Sequence, residues 1–313
     1  MYSERLPWIG EDPASQKLFE LAQRVAPVPT TILINGESGT GKKYLARLIH
    51  ELGPRRDTPF IQINSATLPG KLVEAELFGY ERGGFPGAGE RKLGAFELGL
   101  KGTVVLEEVA ALTPATQEKL LHVLQDQKLE RLGGKDSVHV DARLIAMTNV
   151  DMNSAVKEGR FREDLYQRLD VAKIWVPPLR ERPADILPLA EHLLGILRAE
   201  QGKPQARFGE KTRTLFQAYG WPGNVRELQG ALQRALAHAQ SEALEPEDFS
   251  AEIQTAGKHA GNGNGHLRAL EDVEREAIQA TLEATEYQIG KSAQILGISR
   301  KTLLEKRKKF GMK

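Results

Sequence analysis

The sequence predicts an α/β fold: a doubly wound, five-stranded parallel sheet, followed by an all-helical subdomain and a small all-α domain at the C-terminal end. Three observations predict it. Five short apolar, β-branched runs, at residues 30–35, 60–64, 103–107, 143–148 and 171–176, have the length and composition of strands buried on both faces. Helical patterns at 42–50 and 116–127, with apolar residues three and four apart, alternate with those runs. Strand signals then stop at Pro177 and Pro178, and residues 184–247 keep a helical pattern punctuated by Trp-Pro-Gly-Asn at 221–224.

The remaining elements follow in order. Gly133 and Gly134 stand between Leu132 and an alternating stretch at 137–140, which reads as a hairpin inserted before the fourth strand. Residues 255–266 (TAGKHAGNGNGH) lack apolar periodicity and are rich in Gly and Asn, the composition of a flexible linker. Beyond them, 267–282 is one amphipathic helix, 291–296 a second and 300–310 a third, with Gly297 as the turn between the last two. The expected boundaries are 1–176 for the α/β part, 177–250 for the helical subdomain, 251–266 for the linker and 267–313 for the C-terminal domain.

At 313 residues and 40% hydrophobic content the chain can bury a sizeable core. It has no cysteine, which excludes disulfides and thiolate metal sites. Its seven histidines show no metal-ligand spacing. The first ten residues, MYSERLPWIG, lack a secretory profile, and no apolar run approaches the roughly 18 residues that span a bilayer. A soluble, cytoplasmic protein is the expectation. Net charge is +1, yet residues 299–313 hold seven Lys or Arg against Glu305 alone, a local +6 that leaves about −5 elsewhere. Such asymmetry suits a basic end that meets an anionic partner, and equally a solvated helix face.

Gly36–Lys42 reads GESGTGK between a strand and a helix, the context of a phosphate-binding loop. Gly36, Gly39 and Gly41 let the backbone fold so that successive N–H groups, including those of Glu37, Ser38 and Thr40, face phosphate oxygens. The helix N-terminus adds partial positive charge, and Lys42 reaches the β and γ oxygens. Lys43 stands where the general pattern has a Ser or Thr hydroxyl for magnesium. The third strand ends in Glu107 and Glu108, at the edge where ligands of open α/β sheets bind; Glu107 can hold Mg2+ through water and Glu108 can polarise the attacking water. A solvated acidic strand end remains open for that pair alone. Asn149 follows the fourth strand as a γ-phosphate sensor, and Asn64 follows the second, where it can hold Glu108. Arg162 and Arg168, six residues apart in a helical stretch, can reach a neighbouring subunit's phosphate as arginine fingers, or lie on an ordinary surface.

Residues 9–249 resemble the AAA+ domain of sigma-54-dependent enhancer-binding activators of the NtrC type. The resemblance rests on GESGTGK, ELFGYERGGFPGA, RKLGAFELGLKGTVVLEEV, QEKLLHVLQDQKLERLGG, FREDLYQRLDV, PPLRER and GWPGNVREL, in the family's order. It implies an AAA+ P-loop NTPase with a helical lid, ATP and Mg2+ as cofactors, hydrolysis by Glu108, a switch role for Asn64, trans arginines at Arg162 and Arg168, and a sensor arginine at Arg226. It also implies a ring, commonly a hexamer, that remodels sigma-54 RNA polymerase. Residues 270–311, with KSAQILGISRKTLLEKRKKFG, resemble the family's Fis-type helix-turn-helix, which implies double-stranded DNA as partner and a nucleoid-associated location. Ser299, Arg300, Lys301 and Thr302 then stand near base edges, while Lys306, Arg307, Lys308 and Lys309 hold phosphates.

Departures bear on function. The family's polymerase-contacting loop usually reads GAFTGA; here it is Gly83, Gly84, Phe85, Pro86, Gly87 and Ala88, and proline removes a hydroxyl and a backbone donor. Lys43 replaces the family's Glu and Glu107 its Asp, so extra positive charge beside the metal position predicts slow hydrolysis. Tyr287, Gln288 and Leu304 replace a Gly-Asn pair and an aromatic in the helix-turn-helix. The alternative is a sigma-54-independent DNA-binding regulator that uses ATP for oligomerisation. Only about eight residues precede the AAA+ region, which leaves regulation by a protein in trans or a truncated longer chain.

Overall fold

The computed structural model describes residues 7–85, 88–239, 241–260, 274–275, 277–279, 281–282, 285 and 287–310. The chain divides into two compact units, Met1–Gly257 and Lys258–Lys313. In chain order the first unit begins α1 (Pro13–Val25), β1 (Ile32–Asn35), α2 (Lys42–Leu52), β2 (Phe60–Asn64), α3 (Gly70–Phe78), α4 (Ala95–Leu98), β3 (Thr103–Glu107) and α5 (Pro114–Asp126). It continues with β4 (Lys128–Glu130), β5 (Ser137–His139), β6 (Arg143–Thr148), α6 (Met152–Lys157), α7 (Glu163–Leu169) and β7 (Ala172–Trp175).

The sheet is parallel, in the order β2-β3-β6-β1-β7. Its five strands fall within two residues of the expected runs. The continuous apolar character of the central strands has a plain cause: alternate residues serve two cores. Leu33, Val104, Leu106, Leu144 and Ala146 pack on one face, whereas Ile32, Ile34, Val105, Ile145 and Met147 pack on the other. β1 lies between β6 and β7, so the loop that leaves its C-terminal end opens at the carboxyl edge of the sheet. The hairpin around Gly133 is present, with β4 antiparallel to β5 and Gly133 at φ 74°. Helix α1 lies outside the sequence expectations, although its start is readable: Asp12 accepts the N–H of Ala14 and Pro13 occupies the first helical turn.

The helical subdomain holds α8 (Ile186–Gln201), α9 (Glu210–Ala218) and α10 (Asn224–His238), around a core that includes Leu194, Phe216, Trp221 and Leu232. Trp221 is fully buried, edge-on to Phe216 and Tyr219, and its indole N–H donates to the Phe216 carbonyl. A two-residue parallel pair, β8 (Arg207–Phe208) with β9 (Ala243–Leu244), interrupts the helices. The linker expected over 251–266 is corrected in its first part, because α11 (Ala251–Ala260) is helical and Ile253 is buried in the subdomain core. Ile253, just ahead of the stretch without periodicity, anchors the first turn of this helix in the core; residues 261–266 lie outside the described residues.

In the second unit, α12 (Ile289–Ile295) and α13 (Arg300–Lys309) meet at Gly297, φ 66°. Ile278, Leu282, Ala293 and Leu303 form its core. Of the helix expected at 267–282, residues 274–275, 277–279 and 281–282 are helical and the others lie outside the described residues. No helix among the described residues is long and apolar enough to cross a membrane.

Candidate functional site

The loop from Gly36 to Gly41 connects β1 to α2. Gly39 (φ 81°) and Gly41 (φ 103°) take left-handed conformations closed to most side chains, and nothing stands within 4 Å of where a Gly41 Cβ would point. Thr40 closes the loop by donating its hydroxyl to the Glu37 carbonyl at 2.9 Å. Lys42 is buried, and its ammonium donates to the carbonyls of Gly36 (2.7 Å) and Glu37 (2.9 Å), so it is held inside the loop. Burial pushes its pKa below the ordinary lysine value, against the attraction of Glu108 and, more weakly, Glu107. Backbone donors at a helix N-terminus with an ammonium in their midst fit a nucleotide's phosphates.

Lys42, Lys43, Asn64, Glu107, Glu108 and Arg226 line one cavity of about 450 Å³. Here the structure corrects the pairing expected of Asn64. Its amide donates to Glu107 Oε2 at 3.3 Å, and its carbonyl oxygen accepts the N–H of Ala66 at 2.9 Å. The reason is register. Asn64 lies directly opposite Glu107 in the β2–β3 ladder, whereas Glu108 leaves the strand with φ 52° and ψ 51°. That left-handed conformation is uncommon for a residue with a side chain. Glu108 makes no side-chain hydrogen bond or ion pair among the described residues and faces the cavity.

Lys43 reaches across the cavity to Glu107, with its ammonium 2.8 Å from Oε2. The Glu107 side chain is 8% exposed and that of Lys43 60%. The carboxylate expected to hold magnesium through water therefore already carries an ammonium and an amide N–H on its Oε2. The position that would supply a metal-binding hydroxyl supplies a cation instead. With the Lys43 ammonium seated on it, Glu107 does not fit a divalent cation, whereas the loop and its lysines fit a nucleotide's phosphates.

The helical subdomain docks directly on the loop. Val225 N–H donates to the Gly39 carbonyl at 3.0 Å, and a Cβ on Gly39 would fall 2.3 Å from the Gly223 carbonyl oxygen. Asn224 is fully buried: its oxygen accepts the N–H of Leu179 (2.7 Å) and its amide donates to the Ser38 carbonyl (3.0 Å) and Glu37 Oε2 (3.2 Å). Arg180 donates to both Glu37 oxygens, at 2.8 and 2.6 Å. Arg180 and then Asn224, bonded to the Glu37 carboxylate, hold its pKa down from 4.5 to about 2. Arg182 donates to the Thr40 carbonyl at 2.7 Å, and Arg226 to the Ser38 hydroxyl at 2.8 Å. Sequence reasoning named Arg226 and passed over Arg180, Arg182 and Asn224, although all three lie in the motifs PPLRER and GWPGNVREL. Asn149 is exposed and lines a second cavity together with Ser38, Gly223 and Arg226.

Neither arginine of the 161–171 motif lines the Lys42 cavity. Arg162 precedes α7, where its N–H donates to the buried Gln117, and its guanidinium grips Asp164 through two bonds of 3.0 and 2.8 Å. Arg168, in the last turn of α7, is exposed and makes no ion pair among the described residues. In the loop at 83–88, Phe85 is half-buried edge-on to Tyr80, Gly83 N–H donates to the Ala88 carbonyl, and Gly84 backs against Leu132 and Gly133. Pro86 and Gly87 lie outside the described residues.

In the second unit, Ser299 caps α13 by accepting the N–H of Thr302 at 3.0 Å, and the two hydroxyls are 2.7 Å apart. Arg300 and Lys301 are exposed at the start of the helix. Lys306, expected on a phosphate, is ion-paired with Glu274 at 2.6 Å, and Arg307 is half-buried beside it. Lys308 and Lys309 are exposed.

Comparison with known proteins gives the same order of parts. Residues 8–175 match the family described as the Sigma-54 interaction domain. Residues 180–266 match the AAA+ ATPase lid domain, and 269–310 the bacterial regulatory protein, Fis family. The chain is 39% identical over 306 residues to the nitrogen fixation protein AnfA of Azotobacter vinelandii, covering 97% of this chain and 57% of that protein. It is 46% identical over 241 residues to the response regulator protein FleR of Pseudomonas aeruginosa, covering 77% and 51%. It is 40% identical over 298 residues to the transcriptional regulatory protein ZraR of Salmonella typhimurium, covering 95% and 67%. The chain thus spans little more than half the length of AnfA and FleR. Among solved structures it is similar to NtrX from Brucella abortus in complex with ADP (TM-score 0.74, 34% identity, 99% of this chain and 70% of that one). The corresponding values for NtrX in complex with ATP are 0.72, 34%, 98% and 70%.

Proposed function

Because the chain belongs to the NtrC-type family of sigma-54-dependent activators, we propose that it is a cytoplasmic, ATP-dependent transcription regulator that binds double-stranded DNA through α13 and acts on sigma-54 RNA polymerase through the loop at 83–88. The observation that carries this reading is the clamp on the phosphate loop. Gly39, Glu37, Ser38 and Thr40 are each bonded to the helical subdomain, so whatever occupies the loop bears directly on the angle of that subdomain. In a ring of like subunits, that is the linkage through which nucleotide turnover moves one subunit against the next.

The residues divide the chemistry among them. Lys42 and the loop N–H groups bind and orient the phosphates, and Glu108, unpaired at the cavity wall, orients the attacking water. Arg168, exposed and not part of the lining of its own cavity, reaches the γ-phosphate of a neighbouring subunit; Arg162 does so once it leaves Asp164. Catalysis is positioning and electrostatic stabilisation of phosphoryl transfer. Slow turnover is part of this proposal, because the Lys43 ammonium already occupies the Glu107 carboxylate.

Steady-state ATP hydrolysis across a protein concentration series tests it. The expected result is turnover per chain that rises with concentration and falls by about a thousandfold or to background in Arg168→Ala, the scale of a lost arginine finger. Turnover that is independent of concentration and indifferent to that substitution would sink the ring mechanism.

A further inference from the structure

We propose that the Lys43 ammonium is the resident counter-cation of the nucleotide site, so that the chain binds nucleoside di- and triphosphates without needing a divalent metal. The proposal rests on the nucleotide-binding reading above and goes beyond it.

The general phosphate-loop pattern places a hydroxyl after its lysine to hold magnesium, and a strand-end carboxylate completes the metal's surroundings. This chain departs at both positions in a complementary way, from the general pattern and from the Glu and Asp of the family it resembles. The hydroxyl position is Lys43, and the carboxylate opposite, Glu107, is long enough to meet its ammonium at 2.8 Å. Asn64 donates to the same Glu107 oxygen. The carboxylate is thus neutralised and hydrogen-bonded by the chain's own groups, the condition that a nearly buried charge requires.

Charge arithmetic agrees. Lys42, Lys43 and Arg226 face Glu107 and Glu108 across the cavity, three cations against two carboxylates. The protein alone therefore presents a formal +1 to a polyphosphate. A divalent cation at Glu107 would sit against the Lys43 ammonium and would have to displace it. Lys43 is also the residue after Lys42 in the first turn of α2, where the helix N-terminus already favours anions. An ammonium anchored there shields the phosphates from Glu107 as a metal ion would.

Titration of the full chain with a fluorescent ADP analogue, in magnesium chloride and in EDTA, tests this. The wild-type affinities are expected to agree within about twofold, while Lys43→Thr combined with Glu107→Asp weakens binding in EDTA by about tenfold or more relative to magnesium. Wild-type affinity that falls tenfold in EDTA overturns the proposal, and so does a double variant as indifferent to EDTA as the parent. Should the double variant not fold, Lys43→Gln takes its place and is expected to lose affinity in EDTA. No binding under either condition would instead overturn the nucleotide-site reading itself.

Discussion

Glu37 shows how much one side chain can carry when its partners come from elsewhere in the chain. Its sequence position says only that it follows the first glycine of a phosphate loop, yet its carboxylate is gripped by Arg180 and Asn224, which the chain brings in about 140 and 190 residues later. Because these bonds depress its pKa to about 2, the contribution they make to stability is fully present above the ordinary value of 4.5 and is lost as pH falls through about 2. The pair is partly exposed, so the effect is that of a screened surface contact. Glu37→Gln is expected to lower the melting temperature by about 1–3 °C at neutral pH. Melts followed by circular dichroism should show that deficit unchanged down to about pH 4.5 and shrinking below it; a deficit that disappears between pH 7 and 6 would show that another group is responsible. Asn64 teaches the complementary lesson. Its amide was legible as a partner for an acidic strand end, but which of the two carboxylates it meets depends on the β2–β3 register and on the left-handed turn at Glu108.

Helix α13 makes the same point for an element. Its basic residues read in sequence as base-edge contacts at Arg300 and Lys301 and phosphate contacts from Lys306 to Lys309, but folding sorts them further: Arg300 and Lys301 stand in solvent at the capped N-terminus, while Lys306 turns back to Glu274 and Arg307 is half-buried. A cation already paired within its own unit has less to gain from a phosphate than one surrounded by water and counterions. In anisotropy titrations over a salt series, Lys301→Ala is expected to weaken DNA binding and to reduce the salt slope by about 1, with Lys306→Ala changing the slope by less than about half as much. The reverse ranking would mean that Glu274 releases Lys306 on binding and that the free helix misrepresents the bound one. For α11, the sequence misleads in the opposite direction, since a stretch composed like a linker is helical over its first part once Ile253 finds a place in the core.

At the scale of the molecule, the two compact units have separate cores, and the nucleotide loop and the basic helix belong to different ones. Each is therefore expected to work without the other's contacts. Deleting residues 267–313 should abolish sequence-specific DNA binding and leave affinity for an ADP analogue within about twofold, since among the described residues none that lines the cavity comes from beyond Gln229. Retained operator affinity in the shortened chain would refute the assignment of DNA binding to the C-terminal unit.

By itself the sequence determined the number and place of the five strands of the main sheet, the phosphate loop, the helices of the subdomain and the basic C-terminal helix, and it missed the short β8–β9 pair. Those features are local: apolar runs of strand length, glycines that only a tight loop requires, and charge gathered in one short stretch. Tertiary structure alone decided that β1 lies between β6 and β7, that Lys43 faces Glu107, that Asn64 serves Glu107 rather than Glu108, and that Asn224 and Arg180 clamp the loop. Each of these is a meeting of side chains distant in sequence, set by strand order, register and the docking of one helix end on a glycine. Composition and spacing carry no trace of such meetings until the chain has folded.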